Sequence, residues 1–170
     1  YLKGLPEFAV SVALIADGRA LMGAVYNPAA NEMFEAVAGD GARLNGETIS
    51  VSDCAEIADA SILASRSERR EAGWPERFSA ENVHAISSIA YKLAMIAEGR
   101  YDATASAWPK ADWDICAGCL LVAEAGGTIT SIAGKDLRFN KEQPKHETCL
   151  ASNGYLHEAL KSELGKWAEK

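Results

Sequence analysis

Several things are scarce in this 170-residue chain, and each scarcity excludes a class of protein. Cysteine occurs four times, at Cys54, Cys116, Cys119 and Cys149, too rarely and too scattered for a disulfide scaffold. Basic charge is short: 17 Lys and Arg against 24 Asp and Glu give a formal net charge of −7, with a pI near 5.0. A nucleic acid polymer or an anionic membrane is therefore not an expected partner, because its phosphates would be repelled. Small phosphorylated substrates remain compatible, since a bound cation inverts the local sign. No apolar run approaches the ~20 residues of a membrane span, and no charged, apolar, small-residue leader opens the chain, so a cytoplasmic protein is expected. Internal repeats and low-complexity stretches are also absent. Cys116-x-x-Cys119 has no second Cys pair, and His84, His146 and His157 show no ligand spacing, so the pair reads as buried and inert rather than as a zinc or redox motif.

What is present is ordinary globular composition, 48% hydrophobic and 24% charged, enough to bury the core of one domain or two small halves. Residues 5–52 read as an antiparallel meander of three or four strands. Phe8 to Ala16 and Ala20 to Tyr26 flank the turn Asp17-Gly18, and Glu32 to Val37 alternates with period two. Asn45-Gly46 between Ala42-Arg43-Leu44 and Thr48 to Val51 is the strongest hairpin signal. The first strand is almost continuously apolar, so it expects neighbours on both faces or both sides. After Ser52 the rhythm changes to alternating strands and helices: strands at Ser61 to Ser65, Asn82 to Ile86, Tyr101 to Ala107, Thr128 to Ile132 and Thr148 to Ser152, and helices at Ser87 to Gly99, from Asp112, and at Tyr155 to Trp167. The fold class is α/β in an α+β layered sense, with a meander over 1–58 and a carboxy-terminal α/β unit over 59–170. Glu68-Arg69-Arg70-Glu71 reads as a solvated face, Gly39-Asp40-Gly41 as a turn before a strand, and Trp74, Trp108 and Trp167 as packing anchors.

The most structured stretch runs from Asp112-Trp113-Asp114 through Ile115, Cys116, Ala117, Gly118, Cys119, Leu120, Leu121 and Val122 to Glu124-Ala125-Gly126-Gly127. Carboxylates at the start and glycines at the end delimit a buried helix with a polar mouth. Asp112 is placed to cap it. Asp114, about two residues inside, lies where the dipole stabilises an anion, and a carboxylate held there is also ready to meet a metal ion.

Trp-Asp-x-x-Ala-Gly followed by Glu-Ala-Gly-Gly resembles the carboxy-terminal signature of the inositol monophosphatase family, the magnesium-dependent sugar and nucleotide phosphatases. Gly4 to Leu14, Gly23 to Pro28, Gly39 to Gly46 and Ser88 to Ala94 with Glu98-Gly99 resemble further family segments in the same order. The resemblance implies the family's fold, a Mg²⁺ cofactor, a small phosphorylated substrate, a homodimer, and Asp114 as a metal ligand. It also implies an absence. The family's Asp-Pro-Ile-Asp-Gly-Thr element and its upstream glutamate pair have no counterpart here. These 170 residues thus read as the carboxy-terminal portion of a phosphatase, with no catalytic residue of their own, in need of an amino-terminal portion and inactive alone.

Ser87, Ser88, Ile89 and Lys92 match the family segment Gly-Ser-x-x-x-Lys/Arg that approaches the substrate's hydroxyls, with Ser87 replacing the glycine. Lys92 reads as a solvated helix lysine, with contact to a second phosphate as the alternative. The family's ring-gripping glutamate falls at Ala107. Asp112 before Trp113 instead resembles the 3'(2'),5'-bisphosphate nucleotidase-like branch, which makes Asp112 a substrate contact or simply the helix cap. The competing expectation is a catalytically silent domain on the same scaffold, with a binding or regulatory role.

Overall fold

The computed structural model describes residues 4–71, 78, 79 and 81–168; for residues 70, 71 and 166–168 only the backbone is described. Residues 10–49 form the meander: β1 (Val10–Ala16), β2 (Arg19–Asn27), β3 (Glu32–Val37), β4 (Ala42–Leu44) and β5 (Glu47–Ile49), all antiparallel in the order β1-β2-β3-β4-β5. It has five strands rather than three or four, because the Asn45-Gly46 turn closes one more hairpin. Asn45 at φ 49° and Gly46 at φ 88° supply the two positive angles of a type I′ turn, as do Asp17 at 50° and Gly18 at 74°.

The remaining strands are β6 (Ile62–Ala64), β7 (Val83–Ala85), β8 (Ala103–Ser106), β9 (Lys110–Ala111), β10 (Thr128–Thr130), β11 (Lys145–His146) and β12 (Cys149–Ser152). The second sheet has the order β10-β12-β8-β6-β7. Its members β7, β6 and β8 are parallel, β12 runs antiparallel to β8, and β10 runs antiparallel to β12. β9 and β11 make a separate two-stranded pair that no sequence signal announced. The helices are α1 (Arg66–Glu71), α2 (Ile89–Ala97), α3 (Asp112–Glu124) and α4 (His157–Ala168). The layered α/β fold class is as expected.

Helices α2 and α3 lie between the two sheets, which explains their composition. Eight of the nine residues of α2 and most of α3 are buried, so neither shows the one-sided stripe of a surface helix. Small residues set the spacing. A Cβ on Gly23 of β2 would come within 3.0 Å of the Ala117 backbone, and one on Gly118 would sit 2.5 Å from Leu93 of α2. The Ala117-Gly118 step thus lets α3 touch a strand on one side and a helix on the other. The far face of the second sheet is closed by Leu156, Leu160 and Leu164, which pack with Ile62, Ala64 and Val83.

The opposite face of the meander has no cover among the described residues. Val10, Val12 and Leu14 alternate along β1 at 57%, 63% and 55% exposure, with Met22 of β2 at 50% beside them. Among the described residues β1 is also an edge strand with a free side.

Candidate active site

α2 and α3 run side by side in the same direction. Gly99, just past α2, packs on the backbone of Ser50 and Ser52, while Val51 N–H donates to Ala125 O at the end of α3 (3.1 Å). Both carboxyl ends therefore meet the segment 50–52. The amino ends, Ser88 and Asp112 to Asp114, share the opposite end of the helical layer, where the positive poles of two helices point the same way. This end also receives the carboxyl ends of β6, β7 and β8. The chain passes from β6 to β7 on one side and then, by way of α2, to β8 on the other. Such a reversal of strand order opens a crevice, the usual ligand position in an open α/β sheet.

Asp114 sits in the first turn of α3, half-buried, and its Oδ2 accepts the Ala111 N–H at 3.2 Å. Ala111, not Asp112, is the N-cap residue, so the expected capping role of Asp112 passes to Asp114, reaching back from the third helical position. Asp112 is buried and fully engaged. Its Oδ2 accepts the Asn140 N–H at 2.6 Å, and its Oδ1 bonds His146 Nε2 at 2.9 Å. His146 also meets Phe139 edge to face, with ring centroids 5.2 Å apart. Burial pushes the His146 imidazole below its usual range, with the Asp112 bond opposing. Trp113, between the two aspartates, is 67% exposed. A cavity of about 280 Å³ separates Ser11, Ala13 and Ile15 of β1 from Asp112, Trp113 and Cys116 of α3.

Ser88 is the N-cap of α2, its Oγ accepting the Tyr91 N–H at 3.3 Å, and Ile89 begins the helix half-buried. Ser87 is exposed and has no positive φ, so serine fits there without strain. Arg66 Nη1 donates to Ser87 Oγ at 2.8 Å. Lys92 is not solvated as expected: it is 1% exposed, because α2 is sandwiched between sheets and has no wet face. Burial lowers its ammonium to about 8, with the nearby Lys110 adding to the depression and Glu68 opposing it.

Glu68 corrects a second expectation. It is fully buried rather than part of a solvated face. Its Oε2 accepts from Ser65 Oγ at 2.6 Å, its Oε1 accepts from Ser106 Oγ, and Lys110 Nζ stands 4.0 Å away. The overlooked signal is Ser65-x-x-Glu68, a capping-box spacing at the start of α1, with Glu68 N–H donating to Ser65 Oγ at 3.0 Å. Arg66, also overlooked, forks onto Glu7: Nη1 to Oε2 at 2.8 Å and Nη2 to Oε1 at 3.0 Å. Trp74 lies outside the described residues, as does the side chain of Trp167, and Trp108 is half-buried.

The remaining motif residues hold α3 in place. Glu124 accepts the Gly39 and Gly41 N–H groups on its two oxygens, each at 3.0 Å, so the glycine turn does cradle an anion, a side chain of this chain. Cys116, Cys119 and Cys149 are buried, and burial pushes their thiols up, Cys116 to about 11 and Cys149 to about 12, which leaves them unreactive.

Mg²⁺ wants about six oxygen ligands in an octahedron. Among the described residues no three His, Cys, Asp or Glu side chains converge to hold a metal ion. Asp114 offers one carboxylate at the crevice mouth, which by itself is not a metal site.

Comparison with known proteins agrees with this geometry. The profile of the inositol monophosphatase family matches residues 1–168. A Thermotoga maritima protein named fructose-1,6-bisphosphatase/inositol-1-monophosphatase is 32% identical over 163 residues, covering 94% of this chain and 61% of its own. A Xylella fastidiosa protein named Nus factor SuhB is 32% identical over 169 residues, with the same coverage of 94% and 61%. The solved structure of a Thermotoga maritima IMPase superposes with a TM-score of 0.82 at 31% identity, covering 98% of this chain and 64% of that one. The chain thus spans about three fifths of the length of these relatives. The Ala-Gly spacing of α3, the crevice above parallel β6, β7 and β8, and the end-to-end match lead to one conclusion: this chain belongs to the inositol monophosphatase family.

Proposed function

We propose that the chain is the substrate-binding and partly metal-binding portion of a Mg²⁺-dependent phosphoric monoester hydrolase. Its substrate class is a small phosphate ester: inositol monophosphate, a related sugar phosphate or a 3'-phosphonucleotide. The observation that carries this reading is the convergence of two helix amino ends, one bearing Asp114, at the carboxyl ends of three parallel strands. Backbone N–H groups at such ends suit phosphate oxygens. Asp114 would contribute one ligand. The other oxygens, and the groups that orient water, belong to an amino-terminal portion lying along the free side of β1, beside the cavity that Asp112 and Trp113 line. A completed metal centre supplies charge neutralisation and an activated water. This chain's own share is to bind and orient the ester. Ser87, Ser88 and Ile89 form the rim, Lys92 adds positive charge from beneath, and Asp112 holds the loop 140–146 that walls the first turn of α3.

The test restores the amino-terminal portion from the same reading frame and measures phosphate release with and without Mg²⁺. The longer protein is expected to turn over and Asp114→Asn to lose at least a hundredfold in activity, while the 170-residue chain alone stays at background. Turnover by the short chain would overturn the assignment of an incomplete site, and silence of the long one would overturn the phosphatase reading. That silence would favour a second reading, a binding module on the same scaffold, in keeping with relatives named Nus factor rather than phosphatase.

A further inference from the structure

The strap that leads into α3 runs from Ser106, the last residue of β8, to Lys110, the first of β9. It is closed on itself: Trp108 N–H donates to Ser106 Oγ at 3.3 Å, and Lys110 Nζ donates to Trp108 O at 2.9 Å. It is also tied from outside. Ser106 Oγ donates to Glu68 Oε1, and Lys110 Nζ stands 4.0 Å from the same oxygen. Both ends of the strap therefore return to one carboxylate of α1. Glu68 is held in turn, with its side chain 1% exposed, its second oxygen accepting from Ser65 Oγ at 2.6 Å, and its own N–H donating to that hydroxyl at 3.0 Å. A carboxylate buried this deeply is tolerated only with its oxygens bonded and a cation beside it, which ties Glu68 to the strap as firmly as the strap to Glu68.

The strap delivers the group that aims Asp114. Lys110 is followed by Ala111, the N-cap of α3, and Asp114 Oδ2 accepts the Ala111 N–H at 3.2 Å, so the place of Ala111 sets the direction of the carboxylate. Asp112, in the same turn, is moored elsewhere: its oxygens bond Asn140 N–H and His146, and its own N–H donates to Pro144 O at 3.0 Å. Ala111 also faces Lys145 in the pairing of β9 with β11, but that ladder is two residues long and too short to fix it alone. The loop 140–146 thus secures Asp112, and Glu68 reaches Ala111 through Lys110.

We infer that Glu68 is a positioning residue for Asp114: by holding both ends of the strap it sets where the Ala111 N–H stands, and so where the carboxylate at the mouth of α3 points. The inference rests on the reading of Asp114 as a metal ligand and gives a buried residue of α1 a part in that site. Mg²⁺ accepts little departure from octahedral geometry, and the groups that orient a ligand matter nearly as much as the ligand itself.

The first arm of the test needs neither metal nor substrate: amide hydrogen exchange of the 170-residue chain, followed by NMR. Glu68→Gln keeps the shape of the side chain and removes its charge. It is expected to speed exchange of the Ala111 N–H about tenfold relative to the Asn140 and Gly39 N–H groups, which are held by Asp112 and Glu124. Lys110→Met should do the same, and the double variant should add less than about twofold to either single change, because both act through one pair. Equal acceleration at all three amides, the mark of a weakened fold and nothing more, overturns the inference, as does an unmoved Ala111. The second arm uses the longer protein with inositol 1-phosphate. Both variants are expected to raise the Mg²⁺ concentration for half-maximal phosphate release about tenfold, with KM for the ester changed less than about twofold. An unchanged Mg²⁺ response, or a rise in KM alone, overturns the assignment and leaves the phosphatase reading intact. If the unmutated longer protein releases no phosphate, that reading fails, and the exchange arm still decides whether Glu68 sets Ala111.

Discussion

Gly118 of α3 lies so close to Leu93 of α2 that a Cβ added to the glycine would stand 2.5 Å from the leucine's own Cβ, with Leu93 Cδ1 at 2.6 Å. Two parallel helices approach at this point, and their amino ends reach the crevice together because of it. Alanine is the better helix former by about 1 kcal/mol. Overpacking of a tight core nevertheless costs about 1–3 kcal/mol, so the contact should win. Gly118→Ala is expected to lower stability in urea by the difference, up to about 2 kcal/mol. A gain in stability would show that the helices are not held at this spacing.

Lys92 gives a pH signature. Its ammonium is lowered from 10.5 to about 8 by burial, so the folded state resists protonation that the unfolded chain accepts. Between these values the unfolded state holds more protons, and stability rises with pH. The penalty is fully present below about 8 and is worth roughly 3 kcal/mol at most, at about 1.4 kcal/mol per pH unit. The buried thiols act with the opposite sign above about 9, since their folded values are raised and the unfolded chain ionises first. The clean window is pH 7.5–9, where melting temperature should climb in the parent chain and stay flat in Lys92→Met, which should also be the more stable at pH 7.5.

The bounds of α3 were legible to within a few residues, because a buried helix between acidic and glycine punctuation has few alternatives. Both hairpin turns were legible for a similar reason: Asp-Gly and Asn-Gly supply positive φ directly. The capping residue was misassigned by one position: Ala111 holds the N-cap, and Asp114 at the third helical residue reaches back to the Ala111 N–H, the reciprocal half of a capping box. Lys92 was misread because periodicity assumes one wet face, and a helix between two sheets has none; Glu68 was misread because a run of charges hides that Ser65 and Ser106 hold its carboxylate inside. The Glu7–Arg66 fork joins positions 59 residues apart and leaves no local trace in composition or spacing. Of the candidate site, Asp114, Ser87 and Ser88 were proposed from motif spacing, whereas the charges that surround them could not be read from it.

Asp112 is expected to be costlier to remove than Asp114. Asp112→Ala strands the Asn140 N–H and leaves the buried His146 without its partner, which should cost about 2–4 kcal/mol. Asp114→Ala loses only a half-exposed bond to the Ala111 N–H and should cost about 1 kcal/mol. Chemical denaturation of both variants checks the order, and equal losses would contradict the roles assigned to them.

Acid should destabilise the chain through its two buried imidazoles. Burial lowers both His146 and His157, whose rings bond Asp112 in one case and Thr130 and Ser152 in the other. A histidine held neutral in the fold contributes stability that is present above its unfolded value, about 6.5, and is lost as pH falls through its lower folded value. Melting temperature is expected to drop below pH 6.5, and the drop should be smaller in His157→Gln.

The bare sheet face should make the isolated chain sticky. Val10, Val12, Leu14 and Met22 form an exposed apolar patch beside a free strand edge, a combination that promotes association. Sedimentation of the 170-residue chain is expected to show self-association that Val12→Glu with Leu14→Lys abolishes without loss of helical signal. In the longer protein the same pair of changes should impair folding, since the amino-terminal portion would then lose its seat.

The grip of Gly39 and Gly41 on Glu124 makes α3 a strut pinned at its tail. The helix is about 20 Å long, with Asp112 moored to the loop at its head and Glu124 clasped by a hairpin at its foot. Axial sliding is blocked at both ends, so an ion pulling on Asp114 would be resisted by a turn far from the chemistry. Loosening that distant hairpin should thus shift the first turn of α3 without altering any residue of the helix itself.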